Sequence, residues 1–531
     1  MSSITAPAGS APREAPAPAP SSAPAVPGAA EDVPHRGLLM LAIMLATIMQ
    51  VLDTTIANVA LPHMQGSLSA TQEQVTWVLT SYIVASAIMT LPTAWLAGRF
   101  GRKNIFLVSV GGFTLTSALC GMATSIEQMV LFRLLQGCCG AALVPLAQAT
   151  MLDISPREKH GKAMALWGMG VMIGPILGPT LGGWLTESWN WRWVFYINLP
   201  LGILAFLGMA FFMPDSERSD RAFDKFGFLL LALMIGCAQM LMDRGEHAGW
   251  FESREILLYS AIVGSCLWMY IVHTLRTDNP FLSPAVFKDR NLLTSLVFIF
   301  FIGIILLATM ALLPPYMQNL MGYPVLDVGI LMAPRGMGTM VAMMVVGRLG
   351  GKVDARALIL FGLLCTAVSL NAMTQFSTFV PESTLIWTGV LQGFGLGFIF
   401  VPLSTVAYAT LAPQYRAEGA SIFSLSRNMG SSVGIALVMA ALSRNMSINH
   451  AYLTENITAE ALGLSLRTTP QALLDNGALM MLEAEITRQA ATIAYVNDFK
   501  LMFWVVVCAA PLVLLLRRQA PPAAAADQRG K

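Results

Sequence analysis

Two charged residues stand within long apolar segments, where a charge needs a chemical reason. Asp53 lies in QVLDTTIANVALP and Arg133 lies in FRLLQGCCGAALVP. A charged side chain at the centre of a membrane span costs about 2.5–3.5 kcal/mol. Loss of water favours the protonated form of a carboxyl group, whereas a nearby guanidinium favours the ionised form. A conformational change that moves Asp53 between these two settings would therefore load and release a proton.

Arg133 is expected to act on Asp53 rather than to titrate, because arginine keeps its proton in proteins. It would stabilise the ionised carboxylate or bind a polar relay that includes Gln136, three residues further along the same segment. The alternative is a structural role, in which the two residues form a fixed pair that holds their segments together.

The composition places both residues in a membrane protein. Of the 531 residues, 55% are apolar and only 12% are charged, against about 25% charged residues in soluble domains. Continuous apolar runs of about 20 residues recur along almost the whole chain, as in helical membrane spans. These features exclude a soluble enzyme, a nucleic-acid binder, a secreted disulfide scaffold and a β-barrel. The seven cysteines fall inside apolar runs, so no metal site is expected.

Fourteen transmembrane helices are predicted after an Ala-, Pro- and Ser-rich N-terminal tail. The predicted spans are 38–59, 75–97, 105–124, 128–150, 163–186, 193–213, 226–242, 255–274, 292–314, 328–347, 358–375, 384–410, 417–442 and 499–516. Most of the 32 Lys and Arg residues fall on one side of these spans. The positive-inside rule therefore places both chain ends in the cytoplasm. On the outer side, segment 443–498 is unusually long and polar.

An internal duplication divides these spans into two halves. GRFGRK at 98–103 matches GRLGGK at 347–352, LQG at 135–137 matches LQG at 391–393, and VPL at 144–146 matches VPL at 401–403. Repeats of this kind are typical of transporters in which two bundles rock about a central site. The predicted domains are a disordered tail at 1–36, a six-helix bundle at 37–213, a linker with two inserted helices at 214–290, a second six-helix bundle at 291–516, and a tail at 517–531.

The duplication does not extend to the two charges. VALP at 59–62 aligns with ALLP at 311–314, so Asp53 corresponds to Ile305, and the LQG match places Gly389 at the position of Arg133. A charge required for the fold of each bundle should occur twice, so the asymmetry favours a specialised role. Arg335 and Arg427 also lie inside spans, where pairing with backbone carbonyls or lipid head groups is the simpler interpretation.

A glycine-rich face and a small set of polar residues complete the candidate machinery. In span 5, glycine recurs every fourth residue and two prolines allow a bend, so another helix can approach closely and slide, which suits a rocking interface. These residues are Gly170, Gly174, Gly178 and Gly182, with Pro175 and Pro179. Polar residues near the two charges are candidates for the lining of a substrate cavity. They are Gln50, Thr54, Asn58 and Gln136.

Five ordered motifs resemble a known family. They are LDTTIANVALP, WLAGRFGRK, RLLQGCCGAA, GPILGPTLGGWL and WRWVFYINLPLG, and the second half agrees through YRAEGASIFSLSRNMGSSVG. Together they resemble the drug:proton antiporters of the major facilitator superfamily, in particular its fourteen-span EmrB/QacA group. The resemblance covers roughly residues 38–516 and implies the major facilitator fold of two six-helix bundles.

The resemblance also implies roles for individual residues. Asp53 corresponds to the family's acid of span 1, Arg133 to its arginine of span 4, and the glycine-proline face to its antiporter motif. Arg99, Arg102 and Lys103 correspond to the basic loop that gates the cytoplasmic side, but Gly98 stands where the family often has Asp. In Gram-negative relatives an exporter of this group works with a periplasmic adaptor and an outer-membrane channel. Segment 443–498 is a candidate contact for such an adaptor, or else a loose lid.

The function expected from these features is multidrug export from the bacterial inner membrane, with lipophilic and amphipathic compounds exchanged for protons. No nucleotide-binding motif GxxxxGK[ST] occurs in the sequence, so the proton gradient rather than ATP or another cofactor is the expected energy source. One alternative is a proton-coupled exporter dedicated to a single metabolite, such as a fatty acid, siderophore or antibiotic. A second, less favoured alternative is a channel or a non-transporting membrane scaffold.

Overall fold

The computed structural model describes residues 35–516, apart from 157–158, 216–217, 219–221, 247, 350–352 and 456–475. The C-terminal tail at 517–531 and nearly all of the N-terminal tail at 1–36 lie outside the described residues. Within this part of the chain, thirteen helices are long and apolar enough to cross a membrane, and one bent helix pair supplies a fourteenth. The predicted all-α fold with fourteen transmembrane helices is confirmed.

The first bundle contains six spans, three of which are broken into two helices. Its helices are α1 (Arg36–Ser67), α2 (Gln72–Thr90), α3 (Thr93–Phe100), α4 (Arg102–Met122), α5 (Ile126–Gly140), α6 (Leu143–Asp153), α7 (His160–Ser188), α8 (Trp193–Tyr196) and α9 (Asn198–Phe212). Within this bundle α1 packs against α7 and α9, and α5 packs against α2 and α4. The sequence does not predict the breaks within the spans.

The bend between α2 and α3 has a local cause. The two helices meet at 56°, and Pro92 lies between them. A proline lacks the backbone N–H that would continue the helix, so the hydrogen-bond ladder is interrupted there. The start of α2 is fixed by a capping box, in which the Thr71 hydroxyl accepts from the Gln74 amide and the Gln74 side chain accepts from the Thr71 amide.

Two inserted helices, α10 (Lys225–Arg244) and α11 (Arg254–Arg276), pack together and precede the short α12 (Pro284–Lys288). The Asp224 side chain caps α10 by accepting from the Gly227 amide at 2.9 Å, and it lies 2.9 Å from Nε2 of His273. Partial burial opposes the charge of Asp224, but these hydrogen bonds hold its pKa below the usual value. Helix α10 contacts α2 of the first bundle and α17 (Arg416–Glu455) of the second.

The second bundle repeats the architecture of the first. Its remaining helices are α13 (Arg290–Pro315), α14 (Val325–Leu349), α15 (Ala355–Met373), α16 (Glu382–Ala409) and α18 (Asn476–Ala509). Both α17 and α18 are longer than the predicted spans 417–442 and 499–516. Each extends into the polar segment 443–498, and there Nε2 of His450 lies 2.8 Å from a carboxylate oxygen of Glu483.

The two bundles contact each other mainly through α7 and α14. Glycines of α14 allow this approach: Gly336 lies against Ile176, and Gly347 lies against Ala165. We call the end of the bundles where α1 begins and α6 ends the basic end. Near the basic end the Tyr408 hydroxyl donates to the Gln148 side chain at 3.3 Å and so links α16 to α6.

Candidate functional site

Asp53 lies in the interior of the first bundle and has no exposed surface. Its carboxylate accepts three hydrogen bonds from two other helices. The donors are Nη1 of Arg133 at 2.6 Å, Nε2 of Gln136 at 3.0 Å and Nδ2 of Asn198 at 2.8 Å. The predicted meeting of Asp53, Arg133 and Gln136 is thus found, on α1 and α5. We call these residues together with Asn198 the Asp53 cluster.

The guanidinium of Arg133 is held on several sides and is also fully buried. Its Nε donates to the backbone oxygen of Val78 at 3.1 Å, and its Nη1 also donates to the Gln136 side chain at 2.8 Å. The ring of Tyr82 lies 4.3 Å from the guanidinium carbon, and the ring of Phe195 lies 5.7 Å from it. These contacts hold the Arg133 side chain between α2, α5 and α8.

Asn198 is a residue of the site that the sequence does not single out. It is the first residue of α9, and its Nδ2 also lies 3.0 Å from the Ser117 hydroxyl of α4. Ser117 in turn donates to the backbone oxygen of Phe195 at 2.9 Å. Asn198 falls inside the quoted motif WRWVFYINLPLG, and its amide at the start of an apolar helix is the signal that would have found it.

The hydrogen bonds of the Asp53 cluster match an ionised carboxylate. An ionised carboxylate accepts hydrogen bonds only, and all three neighbours of Asp53 donate to it. Adding a proton would remove the attraction to Arg133 and leave a buried guanidinium without its counter-charge. The ion pair and the two amide contacts of Asp53 thus join α1 to α5 and α9.

The predicted cavity residues separate into two groups. Gln136 is fully buried within the Asp53 cluster, so in this conformation it lines no open cavity. Gln50 is half-buried and donates to the Tyr82 hydroxyl at 3.3 Å. Thr54 is half-buried and Asn58 is exposed, and the Asn58 side chain donates to the Thr54 backbone oxygen at 3.2 Å. Of the four candidates, Asn58 is the one open to its surroundings.

The glycine face of span 5 packs on the helix that carries Asp53. Side chains or backbone of α1 lie against Gly170, Gly174, Gly178 and Gly182 of α7, and Pro175 and Pro179 lie within the same helix. The Thr55 hydroxyl donates to the backbone oxygen of Gly174 at 3.1 Å. The close contact expected of this face is therefore with α1 inside the first bundle, whereas other residues of α7 meet the second bundle.

We expect Gly174→Ala to lower thermal stability and transport together. A Cβ at Gly174 would lie 2.9 Å from the backbone nitrogen of Leu52, so α1 and α7 would have to separate. Overpacking of this kind costs about 1–3 kcal/mol. Gly183→Ala is the matched control, because it lies in the same helix with nothing within 4 Å of its added Cβ. Thermal unfolding of the purified variants measures the difference, and equal melting temperatures would contradict the packing argument.

The basic loop contributes one side of a contact between the bundles. Nη1 of Arg102 lies 2.5 Å from one carboxylate oxygen of Asp153, and Nη1 of Arg416 lies 2.8 Å from the other. Arg102 and Asp153 belong to the first bundle and Arg416 to the second. Asp153 thus supplies an acid at this end of the molecule, although Gly98 replaces the family's usual one. Arg99 is exposed and Lys103 is half-buried on the adjoining turns.

We expect Asp153→Asn to open the basic end. The change removes both ion pairs, one of which ties the bundles together. Asp215→Asn is the control, because it removes the same charge from an exposed position after α9. Spin labels on Asn104 and Val353, in a cysteine-free background, report the distance between the bundles. A longer distance is expected in Asp153→Asn alone. The same distance distribution in the wild type, Asp153→Asn and Asp215→Asn would show that Asp153 does not hold the two bundles together.

The chain matches known transporters over most of its length. A family model described as Major Facilitator Superfamily matches residues 43–443. The multidrug export protein EmrB of Haemophilus influenzae is 36% identical over 430 residues, which are 79% of this chain and 83% of that protein. EmrB of Escherichia coli K12 is 35% identical over 429 residues, with the same shares of both chains. The fatty acid resistance protein FarB of Neisseria gonorrhoeae is 34% identical over 480 residues, or 88% of this chain and 94% of FarB.

Solved structures agree on the fold. The human transporter MFSD10 superposes with a TM-score of 0.58 at 14% identity, over 89% of this chain and 100% of that one. A bacterial homologue of the lysosomal transporter Spinster gives 0.55 at 18% identity, over 92% and 100%. These proteins are membrane transporters, not enzymes. With a family model over most of its length and relatives above 30% identity, the chain is a multi-pass bacterial membrane protein of the Major Facilitator Superfamily, in its EmrB-like group of exporters.

Proposed function

We propose that this protein is a drug:proton antiporter that exports lipophilic and amphipathic compounds by alternating access. The observation that carries the proposal is the Asp53 cluster, a fully buried carboxylate held by donors from two other helices. An ionisable residue inside the membrane is retained when its charge is used, for instance in a proton relay. The proton gradient is the energy source, and no cofactor is needed.

The coupling follows from what protonation does to the cluster. In the ionised state, Arg133 and Asn198 hold α1 against α5 and α9. A proton from the outer side neutralises Asp53 and weakens the ion pair, which frees α1 to shift along the glycine face of α7. Release of the proton on the inner side restores the pair. Transport of cargo is coupled to transport of the proton when cargo binding and protonation each favour a different position of α1.

The basic end faces the cytoplasm in this proposal, and the protein spans the inner membrane of a bacterium with both chain ends inside. The Asp153–Arg416 ion pair and the Tyr408–Gln148 hydrogen bond then close the cytoplasmic side. Both contacts must break before cargo enters from the cytoplasm. In this conformation the cytoplasmic side is therefore closed.

An adaptor protein and an outer-membrane channel are proposed partners. Support comes from α17 and α18, which extend beyond the predicted spans and are linked by the His450–Glu483 pair. The central part of this segment, 456–475, lies outside the described residues. We expect deletion of 456–475 to leave transport by purified protein unchanged but to abolish protection of cells. A lid would instead give a transport defect in both settings.

A dedicated exporter of one metabolite is the second candidate function. It is favoured by the relative named fatty acid resistance protein FarB, which this chain covers over 94% of its length. Survival of cells on a panel of unrelated toxic compounds separates the two functions. Protection against several chemical classes supports multidrug export, whereas protection against fatty acids alone supports the dedicated exporter.

Transport by purified protein in liposomes tests the proposal. We expect efflux of ethidium, a lipophilic cation, and of anilinonaphthalene sulfonate, an amphipathic anion, to accelerate when the compartment outside is made acidic. A protonophore should remove the acceleration. Efflux that does not depend on the pH gradient would contradict proton coupling and would favour a channel.

A further inference from the structure

The second bundle contains a counterpart of the Asp53 cluster that lacks the acid. Gln392 of α16 occupies the duplicated position of Gln136, is fully buried, and donates through Nε2 to the Thr309 hydroxyl of α13 at 3.1 Å. Ile305 stands at the position of Asp53 and Gly389 at that of Arg133. The amide of the first bundle is therefore retained, whereas its carboxylate and its arginine are both replaced.

A different arginine, Arg335, lies beside Gly389, the residue at the position of Arg133. Arg335 of α14 is only 6% exposed. A Cβ added to Gly389 would lie 3.6 Å from the Cβ of Arg335, and Gly393 packs directly against the Arg335 backbone. The two glycines of α16 thus make room for an arginine that reaches the centre of the bundle from a neighbouring helix.

The hydrogen-bonding capacity of this site is largely unused. A guanidinium has five N–H donors, but among the described residues Nη2 of Arg335 reaches only the backbone oxygen of Leu306, at 3.4 Å, and Nη1 has no partner. Nε2 of Gln392 has two N–H donors, and the one partner it reaches in the described part of the chain is the Thr309 hydroxyl. Arg335 contacts Leu306 and Gln392 contacts Thr309, and these two residues of α13 lie within one helical turn of each other. The polar ends of Arg335 and Gln392 therefore contact the same turn of α13. A buried cation without a counter-charge is unfavourable unless an anion joins it.

We propose that Arg335, with the side-chain amide N–H of Gln392, binds the anionic head group of amphipathic cargo, such as a carboxylate on an aliphatic chain. This inference rests on the proposed export function and specifies its cargo. The planar guanidinium matches a carboxylate with two parallel hydrogen bonds.

Access to the site follows from its place beside the bundle interface. Gly336, the next residue after Arg335, packs against Ile176 of the first bundle. Separation of α7 from α14 therefore removes Ile176 from its place beside Gly336 and so uncovers α14 next to Arg335. The same rocking motion that opens the molecule to the cytoplasm exposes the guanidinium to arriving cargo.

Binding of two amphiphiles that share a C12 chain tests the proposal. Radiolabelled laurate and dodecyltrimethylammonium are bound to purified protein in lipid nanodiscs, with empty nanodiscs subtracted. We expect Arg335→Gln to weaken laurate binding about tenfold or more, as for loss of a charged hydrogen bond, and to leave the ammonium compound unaffected. Arg335→Lys should restore part of the laurate affinity. Unchanged laurate binding in a folded Arg335→Gln protein would overturn the proposal.

Arg427→Gln is the matched control, because it removes the same charge from α17 of the same bundle. Arg427 is half-buried, and its Nη2 lies 3.4 Å from the Asn428 side chain. An equal loss of laurate affinity in this control would show a general charge effect and would also overturn the proposal.

A transport assay separates this proposal from that of export. Under a pH gradient, Arg335→Gln should lose a larger share of laurate export than of dodecyltrimethylammonium export, and equal losses of both would contradict a role in anion binding. If neither the wild type nor the variant exports any compound, the export proposal fails while the laurate result still decides the role of Arg335.

Discussion

Asp53→Asn is expected to reduce gradient-driven efflux from liposomes to the rate of liposomes without protein. Asparagine has nearly the same size as aspartate and still accepts a hydrogen bond, but it cannot exchange a proton. Arg133 loses its counter-charge, so the variant is expected to be less stable than the wild type, but the arginine keeps its bonds to Val78 and Gln136. Binding of ethidium without a gradient should persist in the variant, because only the coupling is removed.

Asp498→Asn is the matched control for this experiment. Asp498 is also an aspartate with no exposed surface, but it lies on α18 of the second bundle. We expect gradient-driven efflux in this variant to match the wild type. Wild-type efflux in Asp53→Asn would contradict the assignment of the proton carrier, and equal losses in both variants would show that any buried acid matters.

Arg133→Gln is expected to cost about 3–5 kcal/mol of stability, because it leaves the buried Asp53 without its counter-charge. Efflux should also be lost, since Asp53 would have no guanidinium to pair with and the position of α1 would no longer depend on that ion pair. Thermal unfolding and liposome efflux measure the two effects on the same preparation. A variant with wild-type stability would show that the ion pair contributes little to the fold.

The double variant Asp53→Asn with Arg133→Gln separates coupling from structural support. It contains no buried charge at this site, so most of the lost stability should return. Efflux should remain absent, because no group is left to carry the proton. Efflux that returns with the stability would show that the pair serves only to hold α1 to α5.

The sequence predicts the Asp53 cluster in part. Composition marks any charge in an apolar span as exceptional, and the duplication shows that Asp53 and Arg133 occur once. Asn198 escapes this reasoning because an amide is common in spans and its role depends on how α9 crosses α1 and α4. The position of one helix start relative to another is a property of packing that spacing along the chain does not encode.

The fourteen spans follow from hydropathy, but their partners do not. Glycine spacing in α7 predicts that some helix approaches closely, and the structure identifies that helix as α1. The link from Asp153 to Arg416 joins residues more than 260 positions apart, so it depends on how the bundles meet. Helices α17 and α18 continue beyond the apolar stretches because their polar residues still form helices in water.

Proton release induced by cargo is the most direct test of the exchange at Asp53. Ethidium, which does not titrate in this range, is added to purified protein in nanodiscs that has first been loaded with protons in acidic, weak buffer containing a pH-sensitive dye. We predict that the wild type releases a proton as ethidium binds and that Asp53→Asn binds ethidium without releasing one. The same proton release from both proteins would contradict the account, because the exchanged proton would then come from another group.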